Sequence, residues 1–221
     1  MKAMILAAGR GERMRPLTDV TPKPLLQAGP HRLIEYHLLN LAQAGFTDVI
    51  INVAWLGQQI IEELGNGDKY NLNISYSNEG DQALETGGGI FNALPLLGEE
   101  PFLVINGDVW TDYPFENLRT FQLKDKAHLV LINNPEHNPK GDFSINDSRL
   151  LNDERDRYTF SGIGIYSKDF FTTSSDGKYP LAPMIRKCID SNEISGEVYE
   201  GKWIDIGTPQ RLQSLTDLLN A

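Results

Sequence analysis

A short apolar run, Met4 to Ala7, gives way at once to a turn of small residues, Ala8-Gly9-Arg10-Gly11. Arg13 and Arg15 follow, and then a lysine held between prolines, Pro22-Lys23-Pro24. Glycines let backbone N–H groups come close to a phosphate chain. Arg and Lys bring the positive charge that such a chain needs. The prolines restrict the backbone on either side of Lys23. A plain strand–turn connection with surface arginines explains the glycines but gives no reason for Pro22-Lys23-Pro24. The stretch predicts a strand feeding a phosphate cradle with a positioned cation beside it, as a nucleoside triphosphate site requires. Two other Gly-rich patterns fit less well. A dinucleotide fingerprint wants a third glycine where Met14 stands, and a P-loop would close on Gly-Lys-Ser/Thr, which is missing here.

Further along, strand-like and helical segments alternate, which favours α/β architecture. Buried strands are predicted at Met4–Ala7, Asp48–Val53, Ile74–Ser77, Pro101–Ile105 and His128–Asn133. Helical spacing marks Leu33–Ala44, ended by Gly45, and Leu56–Leu64, stopped by Gly65-Asn66-Gly67. A helix opens at Gly87-Gly88-Gly89 and runs through Leu94, with Pro95 helping to end it; others span Leu181–Ser191 and Thr208–Leu219. Asp142–Ile145, Leu150–Leu151 and Thr159–Tyr166 read as antiparallel strands around a turn, and Glu197–Tyr199 with Trp203–Asp205 as a final pair. The expectation is a Rossmann-like three-layer α/β sandwich around a mixed, mainly parallel central sheet, in one domain over 1–221.

Composition narrows the partners. A formal net charge of −10 argues against nucleic-acid binding, though a local cluster of Arg and Lys suffices for one nucleotide. The apolar runs are far too short to span a bilayer. The run after Lys2 stops at Gly9 and reads as a first strand, not a signal peptide. The lone Cys188 cannot pair internally and suits a reducing, cytoplasmic setting; it reads as a buried helix residue, not a nucleophile. The four histidines, His31, His37, His128 and His137, are scattered and read as structural or surface residues, so zinc is not expected. A monomer or weak homo-oligomer without membrane contact is the expected form.

Two carboxylates and one loop carry further chemistry. Asn106-Gly107-Asp108 follows the apolar run Phe102-Leu103-Val104-Ile105, and ligands in open α/β sheets sit beyond the carboxyl ends of strands. Asp108 is thus placed for a metal or a ribose, unless it simply starts a turn. Asp205, flanked by Trp203, Ile204 and Ile206, is costly to desolvate without a partner. Thr208-Pro209 after it reads as an N-cap with proline at the first helical position. The segment from Glu79 to Gly89 ends in three glycines at a helix start, an entropic expense that suggests close approach of a ligand.

These stretches together resemble the sugar-1-phosphate nucleotidyltransferases, which join a nucleoside triphosphate to a sugar 1-phosphate and release pyrophosphate. The family's pattern is an apolar strand, Ala-Gly-x-Gly-x-Arg-Met/Leu, Pro-Leu-Thr and Pro-Lys-Pro, and every element is present in order. The strand ending in Gly107-Asp108 and the run Trp203-Ile204-Asp205-Ile206-Gly207-Thr208 resemble its metal motifs. The resemblance implies that Asp108 and Asp205 jointly hold Mg²⁺, an ion that favours one or two carboxylates and substrate phosphates. It implies that Arg13 stabilises the leaving pyrophosphate, that Lys23 contacts the transferring phosphoryl, and that Asp108 belongs to the catalytic set. Ala7, Ala8, Gly9 and Gly11 would hold base and triphosphate, with Glu79, Glu85, Gly88 and Asn106 near the nucleotide. Gly141, Asp142, Ser161 and Gly162 would line the sugar pocket.

The chain departs from the family in two places. The usual base loop Leu-Gly-Thr-Ala-Gly is here Leu84-Glu85-Thr86-Gly87-Gly88. Many members carry Glu-Lys-Pro between the metal motifs, whose lysine binds the sugar phosphate; here the region reads Asn152-Asp153-Glu154-Arg155-Asp156-Arg157, a solvated turn unless Arg155 or Arg157 substitutes. Over nearly its whole length the chain resembles the short bacterial uridylyltransferases that act with UTP on N-acetylmuramate 1-phosphate in cell-wall recycling. Residue chemistry itself selects neither uracil nor muramate. Guanylyl or thymidylyl transfer to mannose or glucose 1-phosphate stays open, as does a non-catalytic nucleotide-sugar sensor. A sensor would be free to lose Arg13, Lys23, Asp108 or Asp205, and all four are present. A glycosyltransferase would show an Asp-x-Asp pair, which neither Asp81 nor Asp108 forms.

Overall fold

The computed structural model describes residues 1–80 and 82–220; Asp81, and with it any role in the base loop, lies outside the described residues. In chain order come β1 (Ala3–Leu6), three short 3₁₀ turns (Glu12–Met14, Leu17–Asp19, Lys23–Leu25), β2 (Gln27–Ala28), β3 (His31–Arg32) and α1 (Leu33–Gln43). Next are β4 (Asp48–Val53), α2 (Gly57–Leu64), β5 (Asn73–Asn78), α3 (Glu85–Leu97), β6 (Phe102–Asn106), β7 (Val109–Thr111) and α4 (Phe115–Arg119). The rest is β8 (Ala127–Ile132), β9 (Phe143–Asn146), β10 (Arg149–Leu151), β11 (Arg157–Tyr166), α5 (Ala182–Asp190), β12 (Ile194–Tyr199), β13 (Trp203–Asp205) and α6 (Pro209–Asn220).

The central sheet runs β5-β4-β1-β6-β11-β8-β12-β10-β9. The half β5-β4-β1-β6 is parallel throughout, and β8–β12 is parallel too. β11 enters antiparallel to both β6 and β8, and β9 pairs with both β10 and β11. Side chains alternate across the pleat. Ala3, Ile5, Val49, Ile51 and Val53 meet Ile34, Leu38 and Leu41 of α1 and Ile60 and Leu64 of α2. Met4, Ile50, Phe102 and Val104 meet Ile90, Ala93 and Leu97 of α3 and Ile185 and Ile189 of α5. Helices thus cover both faces, giving three layers.

Local chemistry sets the helix ends. Glu35 accepts the Arg32 N–H at 2.8 Å at the start of α1, and Gly45 closes its end at φ +81°. Two expectations need correction. Pro95 does not end its helix: α3 continues to Leu97 because Ala93 and Leu97 are buried in the core, and Gly98 (φ +88°) supplies the stop. The last two strands do not pair with each other. β12 joins β8, while β13 pairs antiparallel with β7, setting Asp205 opposite Val109. That ribbon fixes the site, since Ile206 N–H donates to Asp108 O at 2.7 Å.

Candidate active site

A cleft of about 450 Å³ opens beyond the carboxyl ends of β1, β4 and β6, where open α/β sheets bind ligands. Its walls include Ala7, Ala8, Gly9 and Gly11 from the first loop, Arg13 and Lys23, Glu79, Glu85 and Thr86, and Asn106 and Asp108. A Cβ on Gly9 would meet nothing within 4 Å, so a phosphate has free access to the backbone there. Gly11 (φ +68°) turns the chain, with its carbonyl accepting Met14 N–H at 2.9 Å and the Thr18 hydroxyl at 2.8 Å.

The turn separates the three arginines. Arg10 stacks 3.7 Å over Trp55 and pairs with Asp19 at 3.1 Å, and Arg15 also pairs with Asp19 at 3.1 Å. Arg13 alone of the three lines the cleft, and it has no ion-pair partner among the described residues. Lys23 is 8% exposed, and its Nζ lies 2.7 Å from Asp108 Oδ2, whose side chain is 40% exposed. Proline on both sides and the 3₁₀ turn Lys23–Leu25 hold this lysine facing the end of β6.

A polar brace that periodicity alone does not announce supports the cleft wall. Asn52 Oδ1 accepts the Ala7 N–H at 2.6 Å, and Asn52 Nδ2 donates to Glu79 Oε1 at 2.6 Å. Glu79 Oε2 accepts the Leu84 N–H at 2.6 Å. Both oxygens of Glu79 are therefore engaged by the chain, so its side chain fixes the loop rather than reaching freely for a base. Burial raises the Glu79 pKa, partly offset by the hydrogen bonds from Leu84 and Asn52. An Asn near the end of an otherwise apolar strand is the signal that marks Asn52, as it marks Asn106.

The glycine triplet has a different use from the one expected. Gly87 N–H and Gly88 N–H donate to Tyr179 O at 3.0 and 3.2 Å. A Cβ on Gly88 would sit 2.1 Å from Gly177 O, and one on Gly89 would sit 2.5 Å from Glu79 Oε1. These glycines admit the chain's own backbone and brace, and Gly88 is not on the cleft wall. Glu85 does reach the wall, at φ +59°.

Asp205 lies beside the cleft, on β13. Its Oδ1 is 3.0 Å from His137 Nε2, and Arg211 holds its Oδ2. Gly207 lets Asp205 and Arg13 come close, since a Cβ there would meet Asp205 Oδ2 at 3.0 Å and Arg13 Nη1 at 3.1 Å. Among the described residues no group of three or more His, Cys, Asp or Glu could hold a metal. What the ribbon offers is two carboxylates, Asp108 in the turn before β7 and Asp205 on β13, an oxygen donor set of the kind Mg²⁺ takes. Lys23 holds Asp108, and Arg211 and the His137 ring hold Asp205. His37 packs beneath the Asn106–Val109 turn, and burial lowers its pKa to about 4.

A second cavity of about 240 Å³ shares Thr86 and Asn106 with the cleft and is lined by Asp142, Phe143, Phe160, Leu181, Ala182 and Arg186. Of the expected sugar residues, Asp142 lines it, with Oδ2 accepting Phe160 N–H at 2.9 Å. The others stand behind it. Ser161 Oγ is consumed by Val130 O at 2.6 Å and Ile163 N–H at 3.1 Å. Gly162 (φ +80°) leaves room for Asn106, whose Nδ2 would be 2.5 Å from a Cβ there. Gly141 (φ +62°) packs on Asn134 and Arg157. Arg155 pairs with Asp153 in an exposed turn, and Arg157 Nε donates to Asp153 O at 2.6 Å, so neither faces the cavity.

Residues 2–144 match the nucleotidyl transferase family, and the chain belongs to it. Across 100% of its length it is 50% identical to the N-acetylmuramate alpha-1-phosphate uridylyltransferase of Neisseria meningitidis serogroup B, covering 99% of that protein. It is 30% identical over 99% of its length to the mannose-1-phosphate guanyltransferase of Yarrowia lipolytica, of which it spans 64%. The structure of the inositol-1-phosphate CTP transferase from T. maritima superposes with a TM-score of 0.80 over 99% of this chain and 94% of that one, at 19% identity, a likeness of fold. No described helix is long and apolar enough to cross a membrane.

Proposed function

We propose that this protein, as one domain over 1–221, transfers the uridylyl group of UTP to N-acetylmuramate 1-phosphate and releases pyrophosphate. The reading rests on one convergence: Arg13, Lys23 and Asp108 meet on a single cleft, in a chain 50% identical end to end to a relative of that name. The triphosphate lies along Ala8, Gly9 and Gly11, and the sugar 1-phosphate enters from the second cavity.

An oxygen of the sugar phosphate attacks the α-phosphorus of UTP. A new O–P bond forms, the α–β bridge breaks, and its electrons leave on pyrophosphate. A phosphate monoester is already largely dianionic near neutrality, its second pKa being about 6, so no base is needed. Positioning and charge neutralisation supply the rate. Arg13 faces the leaving pyrophosphate. Lys23 exchanges Asp108 for phosphate oxygens when substrate enters. Asp108 and Asp205 are the residues that would hold Mg²⁺, with Lys23, Arg211 and His137 yielding them. Bound there, the ion would neutralise phosphate charge and polarise the phosphorus–oxygen bonds. A reducing, cytoplasmic setting fits the lone buried Cys188, and a role in cell-wall recycling rests on the likeness to the relative of that name.

The test is pyrophosphate release with Mg²⁺ and each nucleoside triphosphate against N-acetylmuramate, N-acetylglucosamine, glucose and mannose 1-phosphates. Highest kcat/KM for UTP with the muramate compound is expected. Preference for GTP with mannose 1-phosphate would replace the substrate assignment and keep the mechanism. Silence with every pair would overturn both.

A further inference from the structure

Arg186 is a cation that the transfer mechanism does not use. It stands on α5 and lines the second cavity, about 240 Å³ in volume, next to Phe143, Asp142 and the first residues of the helix. Its guanidinium lies 4.9 Å from the centre of the Phe143 ring. Nη2 donates to the backbone carbonyl of Asp142 at 3.3 Å, and Nη1 to Asn152 Oδ1 at 3.3 Å. Asn152 is itself fixed, donating to Asp190 Oδ1 at 2.6 Å and to Arg186 O at 3.0 Å.

Both acceptors of the guanidinium are neutral and distant. No carboxylate lies within ion-pair distance of Arg186 among the described residues, although Asp142 is its neighbour. Asp142 turns its Oδ2 to the Phe160 N–H instead. A guanidinium has five donors in a planar fork that matches a carboxylate. Held by ring stacking and two weak bonds, this one keeps its charge uncompensated and its fork oriented. The start of α5, at Leu181 and Ala182, lines the same cavity and adds the positive end of the helix.

We infer that Arg186 binds an acidic arm on the acceptor sugar and so sets acceptor specificity. Asp142 accepts from the sugar's hydroxyl groups, and Arg186 takes the carboxylate. The inference rests on the proposed acceptor and goes beyond it. N-acetylmuramate 1-phosphate is N-acetylglucosamine 1-phosphate carrying a lactate ether, so the two acceptors differ by the group that Arg186 would read. The sugar's own phosphate is not the anion meant, because Lys23 and Asp108 stand on the other cavity.

The experiment compares kcat/KM for these two sugar phosphates in the wild type, Arg186→Gln and Arg186→Lys, with UTP and Mg²⁺. Removing one partner of a charge-assisted bidentate pair should lower the muramate-to-glucosamine ratio by roughly 100-fold in Arg186→Gln. Arg186→Lys keeps the charge without the fork and should lower the ratio by about 10-fold, mainly through KM for the muramate compound. Equal losses on both sugars in both variants, leaving the ratio unmoved, would overturn the inference while the function stands. A wild-type enzyme without preference for the muramate compound would overturn the acceptor assignment together with it.

Discussion

Asn52→Ala tests whether the cleft wall depends on one buried amide. Asn52 is 3% exposed and serves the Ala7 N–H and Glu79 Oε1, each at 2.6 Å. Truncation leaves the Ala7 N–H without an acceptor and Glu79 with only the Leu84 N–H. Each buried group stripped of its partner costs about 1–3 kcal/mol, and Glu79 keeps one bond, so the total should be about 3 kcal/mol. For a chain of this size that is roughly a 6–12 °C fall in Tm. Urea unfolding should show a lower midpoint with an unchanged m-value, and kcat/KM for UTP should fall because Ala7 lines the cleft. Asn52→Asp adds a sign. It keeps an acceptor for Ala7 but sets a second carboxylate against Glu79, whose pKa burial already raises. The like charge raises that folded-state pKa further above its unfolded value. Stability should then recover as pH falls below the folded value and be lost as pH rises through it. A loss under about 0.5 kcal/mol in the alanine variant, or a pH-independent deficit in the aspartate variant, would refute the brace.

Two further expectations rest on other contacts. Gly88→Ala should destabilise by about 2–3 kcal/mol through overpacking, because its Cβ would lie 2.1 Å from the Gly177 carbonyl, a backbone atom and not the end of a flexible side chain; urea titration checks it, and a neutral result would mean that the loop at Tyr179 yields. The Glu197 carboxyl is held below its usual range first by the His128 ring, 3.9 Å away, and then by the Tyr113 hydroxyl. A depressed acid contributes stability above its unfolded pKa and loses it as pH falls through the folded value, so Glu197→Gln should flatten the acid limb between about pH 5 and 3, read as the urea midpoint against pH.

The sheet strands were legible in the sequence because they are apolar runs of strand length. Asp48–Val53 has the expected bounds, and Thr159–Tyr166 only gains two residues at its start. The β7–β13 ribbon was not, because Val109–Thr111 and Trp203–Asp205 are short and find each other across the chain. Pro95 misled because a local helix breaker is outweighed by burial on either side of it. At the site, Arg13, Lys23 and Asp108 could be singled out since their motifs fix both residue type and local backbone. Gly88, Ser161 and Gly162 carry the same kind of local signal, yet what a glycine makes room for is decided by whatever lies opposite: Gly177 for one, Asn106 for another. Arg186 carried no signal at all, standing in an ordinary amphipathic helix whose exposure only the fold determines.

The ribbon sets Asp205 beside the Asp108–Val109 backbone, and we propose that these two carboxylates hold the metal used in uridylyl transfer. Turnover of UTP with N-acetylmuramate 1-phosphate and Mg²⁺ should be measured in Asp108→Ala and Asp205→Ala, beside Mn²⁺ binding by electron paramagnetic resonance and unfolding by urea. Asp108→Ala should lose roughly 10³-fold or more in kcat and both variants should bind Mn²⁺ more weakly, with a cooperative unfolding transition retained. Wild-type turnover and Mn²⁺ affinity in both variants would contradict it.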